Sequence, residues 1–338
     1  MKRALILVFL IFFSSTVCAS SLESPVAERV YSGTQEIEMS GMIGGIAIDI
    51  GAGNISNSTG QIESSSWPNI VEVYTATWCA NCIDSEHVVD VLSQSTQVER
   101  LHYHREYSES QDPFGTEVGD DRWIERYGPT SVISTDGLER TPPSIVFNGE
   151  WMHTGTQTKG GVSLADDYTQ SLSMGSSLPL DGLSSSLEWV ASSSNNSEGT
   201  VSWTIGPNLE SKHVDDYWEK CAMFPGATEY TPVLFVVENV ARYEQGTNGL
   251  ENYSHVIRDI HRLESSFTND NSNGSASVTL PTIWDGADFR LVMAFEWSTI
   301  FAMEADASCG SEEGFLPSAG LFSITLVFLI ASLFYRRK

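Results

Sequence analysis

Residues 70–82 read IVEVYTATWCANC, and they decide how the first half of the chain is interpreted. The segment begins as an apolar strand candidate, and a helix-like segment follows from Ile83 to Leu92. Cys79 and Cys82 therefore lie at a strand-to-helix junction. At a helix N-terminus, unpaired backbone N–H groups and the helix dipole lower the pKa of a cysteine thiol. The pattern predicts a dithiol that can close into a disulfide and exchange with other disulfides.

A zinc site and a purely structural disulfide are the alternatives for this cysteine pair. A zinc site needs a second Cys/Cys or Cys/His pair at ligand spacing, and the remaining cysteines stand alone in the sequence. His102 and His104 would share one face of a strand and could ligate in principle. We favour redox chemistry, and we predict neither a metal nor a cofactor.

The two ends of the chain predict export and membrane anchoring. Residues 1–19 combine a short basic region, an apolar run and small residues before the expected cleavage site, as in a signal peptide. Residues 315–335 are apolar enough to span a bilayer, and the basic residues 336–338 mark the cytoplasmic side. The motif LPSAG at residues 316–320 also resembles the signals that sortase-type enzymes process, so an anchor and a processed C-terminus both remain open.

The predicted location allows the cysteines to pair, because disulfides persist outside the cytoplasm. Cys18 would be removed with the signal peptide, which leaves four cysteines; a lipidated Cys18 is the less favoured alternative. Cys221 and Cys309 are candidates for a structural disulfide in the second half. Pairings of either one with Cys79 or Cys82 remain open.

The net charge of −26 predicts an acidic surface and argues against nucleic acid as a partner. Binding of nucleic acid requires clustered cations, so the charge argues against it. An acidic surface is compatible with an extracellular location. Candidate glycosylation sequons begin at Asn54, Asn57, Asn195, Asn252 and Asn273.

Composition and periodicity divide the chain into two predicted domains. Residues 20–64 form a linker that includes a strand candidate at 42–50, and residues 176–198 form a second linker rich in Ser, Gly and Asn. Residues 65–175 alternate strands and helices, which indicates an α/β layer. Residues 199–310 contain short β-type runs, which favour a sandwich. The expected strands of the first domain are 70–75, 98–104 and 144–148, and its expected helices are 82–94, 117–127 and 162–173.

A second motif, TPPSIVFNG at residues 141–149, adds a family resemblance. Together with the WCANC junction it resembles the thioredoxin superfamily, whose members carry a cis proline just before a strand that leads into a hairpin. Counted back from the Asn-Gly pair, Pro143 fits the cis position best, and Pro142 is the alternative. An ordinary Pro-Pro turn is the other interpretation.

The resemblance is closer to secreted thioredoxin-like proteins related to a bacterial outer-membrane protein family. It rests on the His-Tyr-His run at 102–104, on Asp-Pro-Phe at 112–114 and on a β-rich second half, and it covers about residues 65–300. It implies an α/β thioredoxin-like domain followed by an all-β sandwich-like domain. The signal peptide and the transmembrane helix would flank these two domains.

One position departs from that family. Many thioredoxins carry a buried acid six residues before the first cysteine, and this chain has Val73 there. Glu72 is adjacent, but strand alternation predicts that it faces the opposite side of the sheet. Proton transfer from the second thiol would then follow another route or be slower.

The resemblance implies a role for each site residue. Cys79 would attack a substrate disulfide, Cys82 would resolve the mixed disulfide, and Trp78 would shield the ring. The segment at Pro142 and Pro143 would present backbone groups to the substrate chain. His104 would either tune the dithiol or be an ordinary surface histidine, and the surface histidine is the favoured interpretation.

The predicted function is an extracytoplasmic, membrane-anchored thiol–disulfide oxidoreductase. Its partners would be thiols and disulfides of exported proteins, while the direction of the reaction and the redox partner stay open. The alternative is a surface-displayed binding or adhesion protein in which the disulfide is inert.

Overall fold

The computed structural model describes residues 27–30, 37–50, 57–106, 112–177, 184–192, 197–206, 223–268, 271–285 and 288–303. Within these ranges the chain forms fourteen β-strands and three α-helices. The strands are β1 (Glu28–Arg29), β2 (Ile37–Ile50), β3 (Ser58–Glu63), β4 (Asn69–Thr75), β5 (Val98–His104), β6 (Ser144–Phe147), β7 (Trp151–Thr154), β8 (Ser184–Ala191), β9 (Glu198–Ile205), β10 (Met223–Arg242), β11 (Asn252–Arg262), β12 (Ser266–Thr268), β13 (Asn271–Thr279) and β14 (Phe289–Met303). The helices are α1 (Cys82–Ser93), α2 (Glu117–Thr135) and α3 (Leu164–Met174).

The strands form two sheets. The larger has nine strands in the order β1-β7-β6-β4-β5-β11-β10-β14-β2, and the smaller has five in the order β12-β13-β9-β8-β3. In the larger sheet β5 is parallel to β4 and to β11. The other neighbouring pairs are antiparallel, so the larger sheet is mixed.

The predicted fold class is wrong. The described chain is mostly β-sheet, and the nine-stranded sheet runs through both predicted domains instead of ending at a boundary between them. The two halves join where Val256 of β11 lies opposite His102 of β5. The fold is therefore not an α/β thioredoxin-like domain followed by a separate sandwich. The predicted linkers also contain regular structure, since β3 lies within 20–64 and β8 within 176–198.

Local patterns nevertheless place most of the elements correctly. Strand β5 has the predicted bounds, and α1 ends one residue before its predicted end. Helix α2 is longer than predicted, because it continues through Pro129 to Thr135. It begins where the Thr116 hydroxyl accepts the N–H of Gly119, a side-chain cap.

One layer of the core lies between the two sheets. Strands β8 and β9 bury every second residue, as expected for strands with one face covered. The buried side chains of this face are Leu187, Trp189, Val201, Trp203 and Ile205, and they pack against apolar residues of β2, β10 and β14.

The helices cover the two faces of the nine-stranded sheet near β4. Trp123 and Tyr127 of α2 are fully buried against one face, where the ring of Trp123 contacts Tyr74 and Tyr103. Apolar residues of α1 and α3 pack in the cluster that contains Val73 on the opposite face. The C-terminal end of β4 is thereby fixed from both sides.

A buried charge cluster joins α2 to both predicted halves. The Arg122 guanidinium lies 3.1 Å from a carboxylate oxygen of Glu72 on β4 and 2.5 Å from one of Glu296 on β14. Tyr103 and Tyr127 donate hydrogen bonds to Glu72. Burial alone would raise the pKa of Glu296, but the neighbouring arginines hold it below its ordinary value. The prediction that Glu72 faces away from Val73 is confirmed by these contacts.

Several predicted segments lie outside the described residues. These are the signal peptide 1–19, the transmembrane helix 315–335 and the basic tail 336–338. In the part of the chain that the structure describes, no helix is long and apolar enough to cross a membrane.

Candidate functional site

The WCANC segment forms a tight loop between β4 and α1. Cys79 donates its N–H to Ala76 over 2.9 Å, and Cys82 donates its N–H to Cys79 over 3.2 Å. Helix α1 begins at Cys82, directly after Asn81. The two cysteines are joined by a disulfide. The predicted strand-to-helix junction and the short disulfide ring are both present.

The two cysteines differ in exposure. Cys82 is fully buried, whereas Cys79 retains 6% of its surface and is followed by the exposed residues Ala80 and Asn81. Trp78 is half-buried, and the Arg105 guanidinium lies 5.7 Å from the centre of its ring. An incoming sulfur can therefore reach Cys79 more easily than Cys82.

The proline segment reaches the same end of the sheet. The peptide bond between Pro142 and Pro143 is cis, at the position that the sequence favours. Strand β6 begins at the next residue, Ser144, which lies opposite Tyr74 of β4. Because β4 runs on from Tyr74 into the WCANC loop, the cis bond and the disulfide lie at one edge.

His104 is buried, so its interpretation as a surface histidine is wrong. It is the last residue of β5 and lies opposite Thr75, the last residue of β4. Its Nδ1 is 3.0 Å from a carboxylate oxygen of Asp112. The rings of Phe114 and Tyr253 meet its imidazole edge-on at 5.2 and 5.7 Å. These neighbours exclude water from the histidine.

Asp112 connects this histidine to the disulfide loop. The Asp112 carboxylate also accepts hydrogen bonds from the N–H of Thr77, at 2.8 Å, and from the N–H of Phe114, at 3.1 Å. Thr77 is two residues before Cys79 and is fully buried. The His104–Asp112 pair therefore helps to hold the backbone that leads into the disulfide.

Glu86 is a site residue that sequence reasoning missed. It lies one turn after Cys82 on α1 and accepts a hydrogen bond from the Thr75 hydroxyl. Burial raises its pKa, and the Thr75 hydrogen bond and His104 only partly oppose that effect. Helical spacing was the available signal, because Cys82, Glu86 and Val89 fall on one face.

The two histidines considered as metal ligands have separate environments. His102 packs against the ring of His255 at 5.8 Å, and burial lowers the pKa of both imidazoles. His104 pairs with Asp112 instead. Across the described ranges, no group of three His, Cys, Asp or Glu side chains is placed to hold a metal ion.

The other cysteines lie outside the described residues. They are Cys18, Cys221 and Cys309. The Cys221–Cys309 disulfide stays a prediction.

Comparisons with known proteins give distant structural similarity only. No family model and no curated protein matches the sequence. HBP35 of Porphyromonas gingivalis is similar in structure, with a TM-score of 0.43, 12% identity, and coverage of 67% of this chain and 68% of that one. A protein of Agrobacterium tumefaciens known from its crystal structure has a TM-score of 0.34 and 14% identity, and the match covers 67% of this chain and 93% of that one.

Proposed function

We propose that this chain is a thiol–disulfide oxidoreductase that works through Cys79 and Cys82. The observation that carries the proposal is the disulfide at the start of α1, in which Cys79 keeps 6% of its surface beside the exposed Ala80 while Cys82 is fully buried. The backbone N–H groups at the start of a helix stabilise a thiolate, which is the attacking species in exchange. The adjacent cis proline segment and the resemblance of both motifs to the thioredoxin superfamily support the same reaction.

The reaction proceeds in two exchanges. The Cys79 thiolate attacks one sulfur of a substrate disulfide, forms a mixed disulfide, and expels the other substrate sulfur as a thiolate that takes a proton from water. Cys82 then loses its proton and attacks the Cys79 sulfur. The Cys79–Cys82 disulfide forms and the second substrate thiolate leaves. Two electrons have moved from the dithiol to the substrate, and the reverse sequence oxidises a substrate dithiol.

Glu86 is the group to which we assign the proton of Cys82. Cys82 is fully buried, so its proton needs an acceptor inside the protein. The Glu86 carboxyl lies one turn further along the same helix face, and its raised pKa brings it closer to that of a thiol. Six residues before Cys79, where many thioredoxins carry a buried acid, this chain has Val73, whose side chain packs in an apolar cluster.

We expect Glu86→Gln to change the pH dependence of both stability and exchange. A carboxyl whose pKa is raised by folding adds stability below its ordinary pKa, and that stability is lost as the pH rises through the folded value. Gln has no carboxyl to ionise, so Glu86→Gln removes this decrease of stability with rising pH. Relative to wild type, the variant should therefore gain more free energy of unfolding at pH 7 than at pH 4, as measured by urea unfolding. The resolution of a mixed disulfide should slow at neutral pH.

A matched control is Glu139→Gln, because Glu139 is exposed and follows α2. It should leave both pH profiles unchanged. Equal profiles for Glu86→Gln and wild type would show that Glu86 does not handle the proton.

The proposed place of action is outside the cytoplasm, on exported proteins. The support is the sequence of the two ends, which predicts a signal peptide and a membrane anchor at 315–335.

The test of the proposed function is catalysis by the wild-type chain. We expect it to accelerate either the reduction of insulin by dithiothreitol or the refolding of a reduced, disulfide-containing protein in glutathione buffer. No acceleration in either assay would overturn the enzyme proposal and favour a binding protein with an inert disulfide.

A further inference from the structure

The loop between β10 and β11, residues 243–251, is hydrogen-bonded to the backbone before the disulfide. Thr247 and Asn248 both donate their N–H groups to the carbonyl oxygen of Thr77, at 3.0 and 3.1 Å. Thr77 is fully buried and lies two residues before Cys79. A segment far along the chain thus contacts the disulfide loop directly.

Tyr253 holds this loop in shape. Its hydroxyl donates to the side-chain oxygen of Asn248 over 2.8 Å and lies 3.3 Å from the Thr77 carbonyl oxygen. Leu250 donates its N–H to the same Asn248 oxygen at 3.0 Å. Burial raises the pKa of Tyr253 to about 12, with the nearby charge of Asp112 adding to the effect. The hydroxyl therefore keeps its proton at neutral pH.

Gly246 shows how closely the loop approaches. A Cβ at this position would lie 2.0 Å from the Tyr253 hydroxyl oxygen and 3.1 Å from the Thr77 carbonyl oxygen. The ring carries its hydroxyl at a fixed distance, so it cannot yield by a simple rotation. Any side chain at Gly246 would push the loop and the Tyr253 hydroxyl apart, and so disturb the contacts that both make with Thr77.

The Thr77 peptide units are therefore fixed from two directions. Asp112 holds the N–H of Thr77, and the β10–β11 loop holds its carbonyl. After reduction the two sulfurs are free to separate, and they separate less when the backbone that carries Cys79 is firmly held. A fixed backbone that keeps one sulfur beside the other raises their effective concentration and favours the disulfide.

We propose that the β10–β11 loop, through Tyr253, is a positioning element that shifts the thiol–disulfide equilibrium of Cys79 and Cys82 toward the disulfide. The proposal rests on the proposed function. It gives the second half of the chain a part in the redox chemistry, which the fold makes possible because β11 lies beside β5.

Equilibration with glutathione tests the proposal. The wild-type chain, Tyr253→Phe and Gly246→Ala are incubated across ratios of reduced to oxidised glutathione, free thiols are alkylated, and the products are counted by mass. Both variants should shift the equilibrium constant toward the dithiol by on the order of fivefold, which corresponds to about 20 mV. Tyr243→Phe is the matched control, because it removes a hydroxyl from the first residue of the same loop and keeps the ring that packs against Phe114 and Trp284. It should stay within about twofold of wild type.

The outcomes separate this inference from the proposed function. Exchange by the wild type with unchanged constants in both variants, or shifts toward the disulfide, would overturn the inference alone. A wild-type disulfide that never exchanges would overturn the proposed function and this inference together. Urea unfolding identifies a variant that fails to fold. If one of Tyr253→Phe and Gly246→Ala does not fold, the equilibrium constant of the other variant tests the proposal.

Discussion

Cys79→Ser should lower thiol–disulfide exchange to the uncatalysed background, while Cys82→Ser should stop after the first exchange. Cys79 is the more accessible of the two residues, so its removal leaves only the fully buried Cys82 to attack a substrate. Cys82 is buried and acts only on the mixed disulfide, so its loss should trap the substrate on Cys79. Insulin reduction measures the first effect, and non-reducing electrophoresis with mass analysis measures the second.

The two cysteine variants are controls for each other, because both remove the disulfide and only one removes the attacking thiol. If Cys79→Ser kept full activity, the enzyme proposal would fail. If the substrate were trapped on Cys82 in Cys79→Ser instead, the two roles would be reversed.

Arg122→Met should lower the free energy of unfolding by about 3–5 kcal/mol, because it takes the arginine partner from the buried Glu72 carboxylate and leaves Glu296 with Arg126. Arg122 is 4% exposed and lies between Glu72 and Glu296, both of which are also buried. These residues belong to α2, β4 and β14, so the loss should affect packing in both halves of the nine-stranded sheet. Urea unfolding measures the change.

The control for Arg122 is an exposed arginine. Arg242 pairs with Glu244 and Glu251 at the surface, so Arg242→Met should cost about 0–1 kcal/mol. In a Glu72→Gln, Glu296→Gln background the cost of Arg122→Met should shrink, which a mutant cycle measures. A cost below about 1 kcal/mol in the wild-type background would show that the cluster does not hold the two halves together.

Elements were predictable from the sequence because their signals are local. Alternation and apolar runs place β4 and β5 within a residue of their observed bounds. The order of strands within a sheet could not be predicted in this way. Strands β5 and β11 meet through one register pair between residues far apart in the chain. No local pattern specifies that contact. The predicted two-domain fold failed at this junction.

The same distinction applies to the site. Cys79, Cys82 and Pro143 belong to short motifs, so their spacing identified them. His104 was misjudged because its burial depends on Phe114 and Tyr253, which come from two other segments. Glu86 was missed because its burial and its contact with Thr75 depend on how α1 packs against β4, although helical spacing already placed it on the same face as Cys82.

The measurement that tests the central claim most directly is a redox titration of the wild-type Cys79–Cys82 pair. The full chain is equilibrated across defined thiol–disulfide buffers, alkylated, and its free thiols are counted at these two positions by mass. The account predicts a two-electron transition with a midpoint between about −270 and −120 mV. A disulfide that stays closed at about −300 mV would contradict it.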